Sequence, residues 1–143
     1  MPVYFLGWSL AKIRRGIHIL KGSDSTSLDW LVNAQQGSLI LMISTTRYPN
    51  ELIRLGKIVK GLDQELIVIA DSSHCPLLSF ADLYLVAPST NIPLFGDLTI
   101  LNTPIRYICL KLARRSKPEF TDYQNQLEQI YLENDIFFNL QQN

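Results

Sequence analysis

Short apolar runs alternate along this chain with segments whose apolar residues recur at helical spacing. Val3–Leu6 predicts a first strand and Ile17–Leu20 a second. Ser38–Ile43 (SLILMI) is continuously apolar, as a strand covered on both faces should be, and Glu65–Ala70 (ELIVIA) has the same character. Leu83–Val86 (LYLV) predicts a further strand, ended by Ala87-Pro88. Between these lie the helical patterns. Ser27–Asn33 reads as a short helix capped by Ser27, with Leu28, Leu31 and Val32 on one face. Glu51–Lys60 gathers Leu52, Leu55, Ile58 and Val59, sends Arg54, Lys57 and Lys60 to water, and stops at Gly61. Asp97–Arg115 is apolar nearly all round and predicts a buried helix, one that either starts at Thr103 or kinks at Pro104. A last helix follows Pro118, with Thr121 as its cap and Tyr123, Leu127, Ile130 and Tyr131 as its stripe.

Strand-helix alternation around central apolar strands implies an α/β fold. The expected architecture is a three-layer sandwich, with a mostly parallel sheet of about five strands flanked by helices. Its N-terminal βα unit is short, because only ten residues, 7–16, separate Leu6 from Ile17. Ligands of such sheets sit beyond the carboxyl ends of the strands, which singles out the loops after Leu6, Ile43 and Ala70.

Composition narrows the function. The 143 residues suit one domain, 1–143, and 47% hydrophobic with 18% charged residues is a folded chain rather than a disordered one. The longest apolar runs are strand-sized, so no membrane span or membrane partner is expected. Met1–Trp8 has no basic lead and does not read as a signal peptide. Cys75 and Cys109 stand far apart without metal spacing, and read as reduced thiols of a cytoplasmic protein. With two histidines beside them, no metal or other cofactor is expected. Net charge is zero but uneven. Residues 1–60 hold eight Lys/Arg and three Asp/Glu (+5), and 61–143 hold five and ten (−5). The basic half is either ordinary surface charge or an anion-binding face. It lacks the basic stripe of a nucleic-acid module, so no direct nucleic-acid contact is expected.

One loop could carry chemistry. Ser44-Thr45-Thr46-Arg47-Tyr48-Pro49-Asn50-Glu51 joins an apolar strand to a helix. Its hydroxyls, a guanidinium and the orphan N–H groups of a helix N-terminus suit a phosphomonoester. The alternative is that Thr46 or Asn50 caps the helix and Arg47 points to solvent. Asp71, at the end of the next strand, either accepts a ligand hydroxyl or bonds its own turn. His74 reads as a general base on paper or as a surface-loop histidine. Glu51 is either an acid–base group or a favourable acidic residue in a helix's first turn.

From Gly37 to Phe138 the chain resembles the sugar isomerase (SIS) domain of MurR/RpiR-type transcription regulators. That family's strand-loop-helix reads S-x-S-G-x-T-x-E. Ser44, Thr46 and Glu51 fall on its serines and glutamate, Arg47 replaces the glycine and Pro49 the threonine. Arg47-Tyr48-Pro49 is similar to a branch of the family with the same run. Ile69-Ala70-Asp71-Ser72, Cys75-Pro76-Leu77 and Phe80-Ala81-Asp82-Leu83 resemble its I-T-D-S, S-P-L and A-D-x-x-L segments. Gly7-Trp8-Ser9 stands where the family has a glycine-rich turn, and Ser9 is the match to a serine of the sugar site.

The resemblance implies a non-catalytic effector domain binding a phosphorylated sugar or amino sugar through Ser9, Ser44, Thr45, Thr46, Arg47, Tyr48, Glu51 and Asp71. Independently of it, the buried-type Asp97–Arg115 helix predicts a homodimer or higher homo-oligomer. Regulators of this type carry an N-terminal helix-turn-helix domain, for which this chain leaves no room. The alternatives are an aldose–ketose phosphate isomerase using Glu51, or a degenerate domain that serves only dimerisation or interaction.

Overall fold

The structure is a computed structural model, and it describes residues 2–20, 22, 24–45, 47–88, 98–115 and 117–136. Its elements are α1 (Pro2–Ala11), α2 (Ser25–Asn33), β1 (Leu39–Ser44), α3 (Asn50–Gly61), β2 (Glu65–Ala70), a short 3-10 turn at Pro76–Ser79, β3 (Leu83–Val86), α4 (Leu98–Arg115) and α5 (Lys117–Glu133). They group into two compact units. One holds Ile19–Pro104, and the other holds Tyr4–His18 together with the chain from Ile105 on.

The first unit carries the sheet. Three parallel strands lie in the order β1-β2-β3, with Leu39 opposite Glu65, Ser44 opposite Ala70, and Ala70 opposite Val86. β2 has a neighbour on each side, which is why ELIVIA buries Leu66, Val68, Ile69 and Ala70 completely. α3 packs on β1, β2 and the 3-10 turn. Its Leu55 and Val59 join Leu31 of α2, Ile40 and Met42 of β1, and Leu77 in one core cluster. Asp82 fastens the start of β2 from outside: its carboxylate accepts the Leu66 N–H at 2.8 Å, and its own N–H donates to the Leu66 carbonyl at 2.9 Å.

The second unit is helical. The Tyr123 hydroxyl of α5 donates to the Ala11 carbonyl at 2.7 Å, and the Gln124 amide donates to the Lys12 carbonyl. The Lys12 ammonium donates to the Tyr131 hydroxyl at 3.1 Å and lies 4.7 Å from the centre of the Trp8 ring. α4 belongs to the first unit up to Pro104 and to the second from Ile105.

The α/β class and the parallel sheet flanked by helices stand as the pattern predicts, and three strands form the sheet among the described residues. β1, β2 and β3 fall within a residue of their expected places. The N-terminal expectations differ. Val3–Leu6 is not a strand but part of α1, and Gly7-Trp8-Ser9 lies inside that helix rather than in a turn. A four-residue apolar run has no period of its own, so it follows the longer helical context. Ile17–Leu20 joins no strand.

Three helix boundaries also move. α2 starts at Ser25 because Asp24, the first cap-competent residue of the Asp24-Ser25-Thr26-Ser27 run, accepts the Ser27 N–H at 2.7 Å, and Ser27 is buried inside the helix. α4 runs unbroken through Pro104, with Leu101 and Ile105 buried but Tyr107 60% and Leu110 48% exposed, so it is not apolar-buried all round. α5 starts at Lys117, which places Pro118 in its first turn and Thr121 inside it rather than at its cap. Asp97 and the tail beyond Ile136 lie outside the described residues.

Candidate functional site

Parallel pairing sets the site. Because Ser44 registers with Ala70, β1 and β2 end side by side, and the segments that follow them leave from one edge of the sheet. The residue after Ala70 is Asp71, and the chain after Ser44 runs through Arg47 and Tyr48 into α3.

Ser44 is 2% exposed, and its hydroxyl has no nitrogen or oxygen partner among the described residues. The neighbouring Cys75 offers only a weak sulfur contact to that hydroxyl; burial pushes the Cys75 thiol up, and the Ser44 hydroxyl pulls the other way. A buried polar group without a partner is rare in a folded protein, because water has been removed from it and nothing replaces it. α3 begins beside this loop with Pro49 as N-cap, and proline offers no side-chain oxygen to the helix's first N–H groups. An orphan hydroxyl and a helix N-terminus without a side-chain cap form a donor set that favours an anion.

Arg47 adopts φ +70°, the left-handed region that favours glycine, and its side chain is exposed. Here the structure meets the sequence pattern closely: the position at which the S-x-S-G-x-T-x-E pattern has glycine keeps a glycine-like backbone while carrying arginine. Tyr48 turns the other way. Its hydroxyl donates to Asp71 Oδ1 at 3.0 Å, which ties the loop after β1 to the end of β2. Burial, and then the bond to Asp71, push the Tyr48 hydroxyl up to about 12, so it stays protonated and donating. Asp71 is 5% exposed. It serves as an acceptor for Tyr48, a cross-loop role that the sequence alone did not suggest.

Glu51 lies in the first turn of α3, where a carboxylate is favoured by the helix dipole. Its carboxylate reaches to Gly22, ahead of α2. His74 is exposed, and its backbone N–H donates to the Ser72 hydroxyl at 3.1 Å within one short turn. That is the surface-loop alternative rather than a base aimed at the site.

Ser44, Thr45, Arg47, Tyr48, Glu51 and Asp71 thus all belong to the first unit, and Tyr48 joins Asp71 directly. Thr46 lies outside the described residues. Ser9 is half-buried on α1, in the second unit. Sequence reasoning missed Gly22 and the nearness of Cys75 to Ser44. A Lys21-Gly22-Ser23 turn signal was legible, but nothing in it points across the fold to α3.

The second unit has a cleft of its own, lined by Arg14, Arg15, Glu119, Asp122, Tyr123 and Gln126. Its charges are mixed. Arg15 already donates to Gln126 Oε1 at 2.8 Å and lies 5.5 Å from the centre of the Tyr123 ring.

A model of the SIS domain family matches residues 5–102. Among solved structures, the chain is similar to the sugar isomerase domain of an RpiR transcription factor from Sphaerobacter thermophilus. That match has 19% identity and a TM-score of 0.78, over 90% of this chain and 72% of that one. It is also similar to the Vibrio vulnificus NanR protein complexed with ManNAc-6P, at 19% identity and a TM-score of 0.72 over 95% of this chain. The chain spans about half of that protein, 52% of its length. At such identities the likeness carries the fold. No curated protein matches the chain.

Proposed function

Because the chain belongs to the SIS domain family, we propose that it is a sugar-phosphate-binding effector domain of a transcription regulator. It carries out no chemistry of its own and works as a homodimer in the cytoplasm. The observation that carries this reading is the buried Ser44 hydroxyl, which has only a weak contact to the Cys75 sulfur, at the head of the loop that leads into α3. A phosphomonoester would satisfy that hydroxyl and the N-terminus of α3 together. Arg47, exposed at the loop's turn, would add a guanidinium contact, with Thr45 and Thr46 supplying hydroxyls. Glu51 would accept a hydroxyl of the sugar, and Tyr48 and Asp71 would hold the loop in place. Ser9 stays a candidate on the strength of the resemblance alone. The likeness to NanR, a protein complexed with an amino-sugar phosphate, supports the ligand class.

The test is thermal unfolding and titration calorimetry with hexose, pentose and amino-sugar phosphates, beside the same sugars unphosphorylated. The phosphorylated member of one pair should raise the melting temperature. Ligand at one hundred times Kd stabilises by about 2.7 kcal/mol. A flat response across the whole panel would sink the proposal. Among the alternatives, turnover of an aldose phosphate lost in Glu51→Gln would favour the isomerase. A chain that binds nothing yet dimerises would favour the interaction module.

A further inference from the structure

Gly22 stands with φ +91° against the carboxylate of Glu51. A Cβ on Gly22 would lie 2.6 Å from Glu51 Oε1 and 3.0 Å from Cδ. The contact is therefore with the far end of a flexible side chain, not with backbone. Adding a methyl group at residue 22 would push the carboxylate aside and would also strain the backbone, which at φ +91° favours glycine. The two residues come from different parts of the first unit, the segment leading into α2 and the first turn of α3. A negative group held at this end of α3 acts in opposite ways on the two halves of a sugar phosphate. It repels the phosphate, and it accepts a hydrogen bond from a sugar hydroxyl.

We propose that Gly22 is a specificity-determining residue: its bare backbone seats the Glu51 carboxylate so that the site discriminates a phosphorylated polyol from a bare phosphate anion. The proposal rests on the sugar-phosphate reading above and adds a residue that the loop pattern does not contain.

Calorimetric titration of the full chain with two probes, inorganic phosphate and N-acetylmannosamine 6-phosphate, tests it in wild type, Gly22→Ala, Glu51→Gln and the double variant. Gly22→Ala and Glu51→Gln should each weaken the sugar phosphate about tenfold, the scale of one charge-assisted hydrogen bond. Neither should weaken inorganic phosphate, and a few-fold tightening is expected. In the double variant, Gly22→Ala should add nothing to Glu51→Gln. Glu51→Asp, which withdraws the carboxylate by one methylene and leaves residue 22 untouched, should reproduce the pattern if Gly22→Ala folds poorly. A parallel loss for both probes, or an additive double variant, would overturn the role of Gly22 while leaving the sugar-phosphate reading intact. Wild-type chain that takes up neither probe would remove that reading and this proposal together.

Discussion

Replacing Ser44 by alanine should stabilise the ligand-free protein and weaken its ligand, two effects of opposite sign from one atom. A hydroxyl buried without a partner costs about 1–3 kcal/mol, because its bonds to water are lost and not replaced. Ser44, at 2% exposure, is close to that state, since the Cys75 sulfur offers it only a weak contact. Removing the oxygen recovers the penalty, less a few tenths of a kcal/mol for the lower strand propensity of alanine and the small void left behind. A net gain of about 0.5–2.5 kcal/mol follows, or roughly 2–8 °C in melting temperature for a chain of this size. With ligand the sign reverses. Losing one hydrogen bond to a phosphate oxygen costs about 1.5–3 kcal/mol, a ten- to hundredfold rise in Kd. At a concentration one hundred times the wild-type Kd, stabilisation by ligand then falls from about 2.7 kcal/mol to roughly 0.4–1.4 kcal/mol. Urea unfolding with and without ligand reads both quantities on the same protein. A ligand-free Ser44→Ala chain less stable than wild type would refute the reasoning, since it would mean that the hydroxyl is bonded in the folded state.

Arg47→Gly should raise stability by about 0.5 kcal/mol in urea unfolding, because glycine relieves the φ +70° strain at some cost in unfolded-chain entropy. It should also weaken phosphate binding, and a loss above 1 kcal/mol would show that the arginine side chain supports the fold. Tyr48→Phe removes the donor to the buried Asp71 carboxylate and should cost about 1–2 kcal/mol. The tyrosine's pKa is raised in the folded state, from 10.0 to about 12, so its contribution is complete below pH 10 and lost as pH rises from 10 to 12. Stability measured against pH should show that alkaline limb in wild type and lack it in Tyr48→Phe. Leu66→Ala, at the fully buried start of the central strand, should cost about 2–5 kcal/mol by denaturant unfolding without altering the site directly.

β1 and β2 were legible in the sequence because most of their residues are buried, whereas β3 is largely exposed and was legible from its apolar run alone. SLILMI and ELIVIA have no alternative home in a chain of this length, and β2 spans the predicted residues. The ends of the chain were legible only in part, for two physical reasons. Val3–Leu6 is too short to show a period, so neighbouring residues decide between strand and helix, and α1 results. In the run Asp24-Ser25-Thr26-Ser27 every residue can cap a helix, so composition does not say which one does. At Pro104 the sequence left two outcomes open, a start at Thr103 or a kink, and the helix does not start there. A proline normally breaks a helix, yet α4 continues through it, its apolar residues Leu101 and Ile105 buried one turn apart on either side.

The site divides along the same line between local and non-local information. Hydroxyls, arginine and a helix start are visible within eight consecutive residues, and the positive φ of Arg47 accords with the glycine of the related pattern. What no local reading supplies is partnership across the fold. Tyr48 reads in the sequence as one more ligand hydroxyl, and in the structure it donates to Asp71 and so acts as a strut between two loops. Gly22 looks like turn punctuation until the Glu51 carboxylate is seen resting on it. Ser44 is the converse case, a serine that the pattern nominates and whose burial without a partner gives the nomination a physical reason. A strut, a seat and an orphan donor are three different relations of a side chain to a ligand. Removing the strut should loosen the loop toward every ligand, and removing the seat should alter discrimination. Removing the donor should stabilise the empty protein, and that sign separates Ser44 from its neighbours.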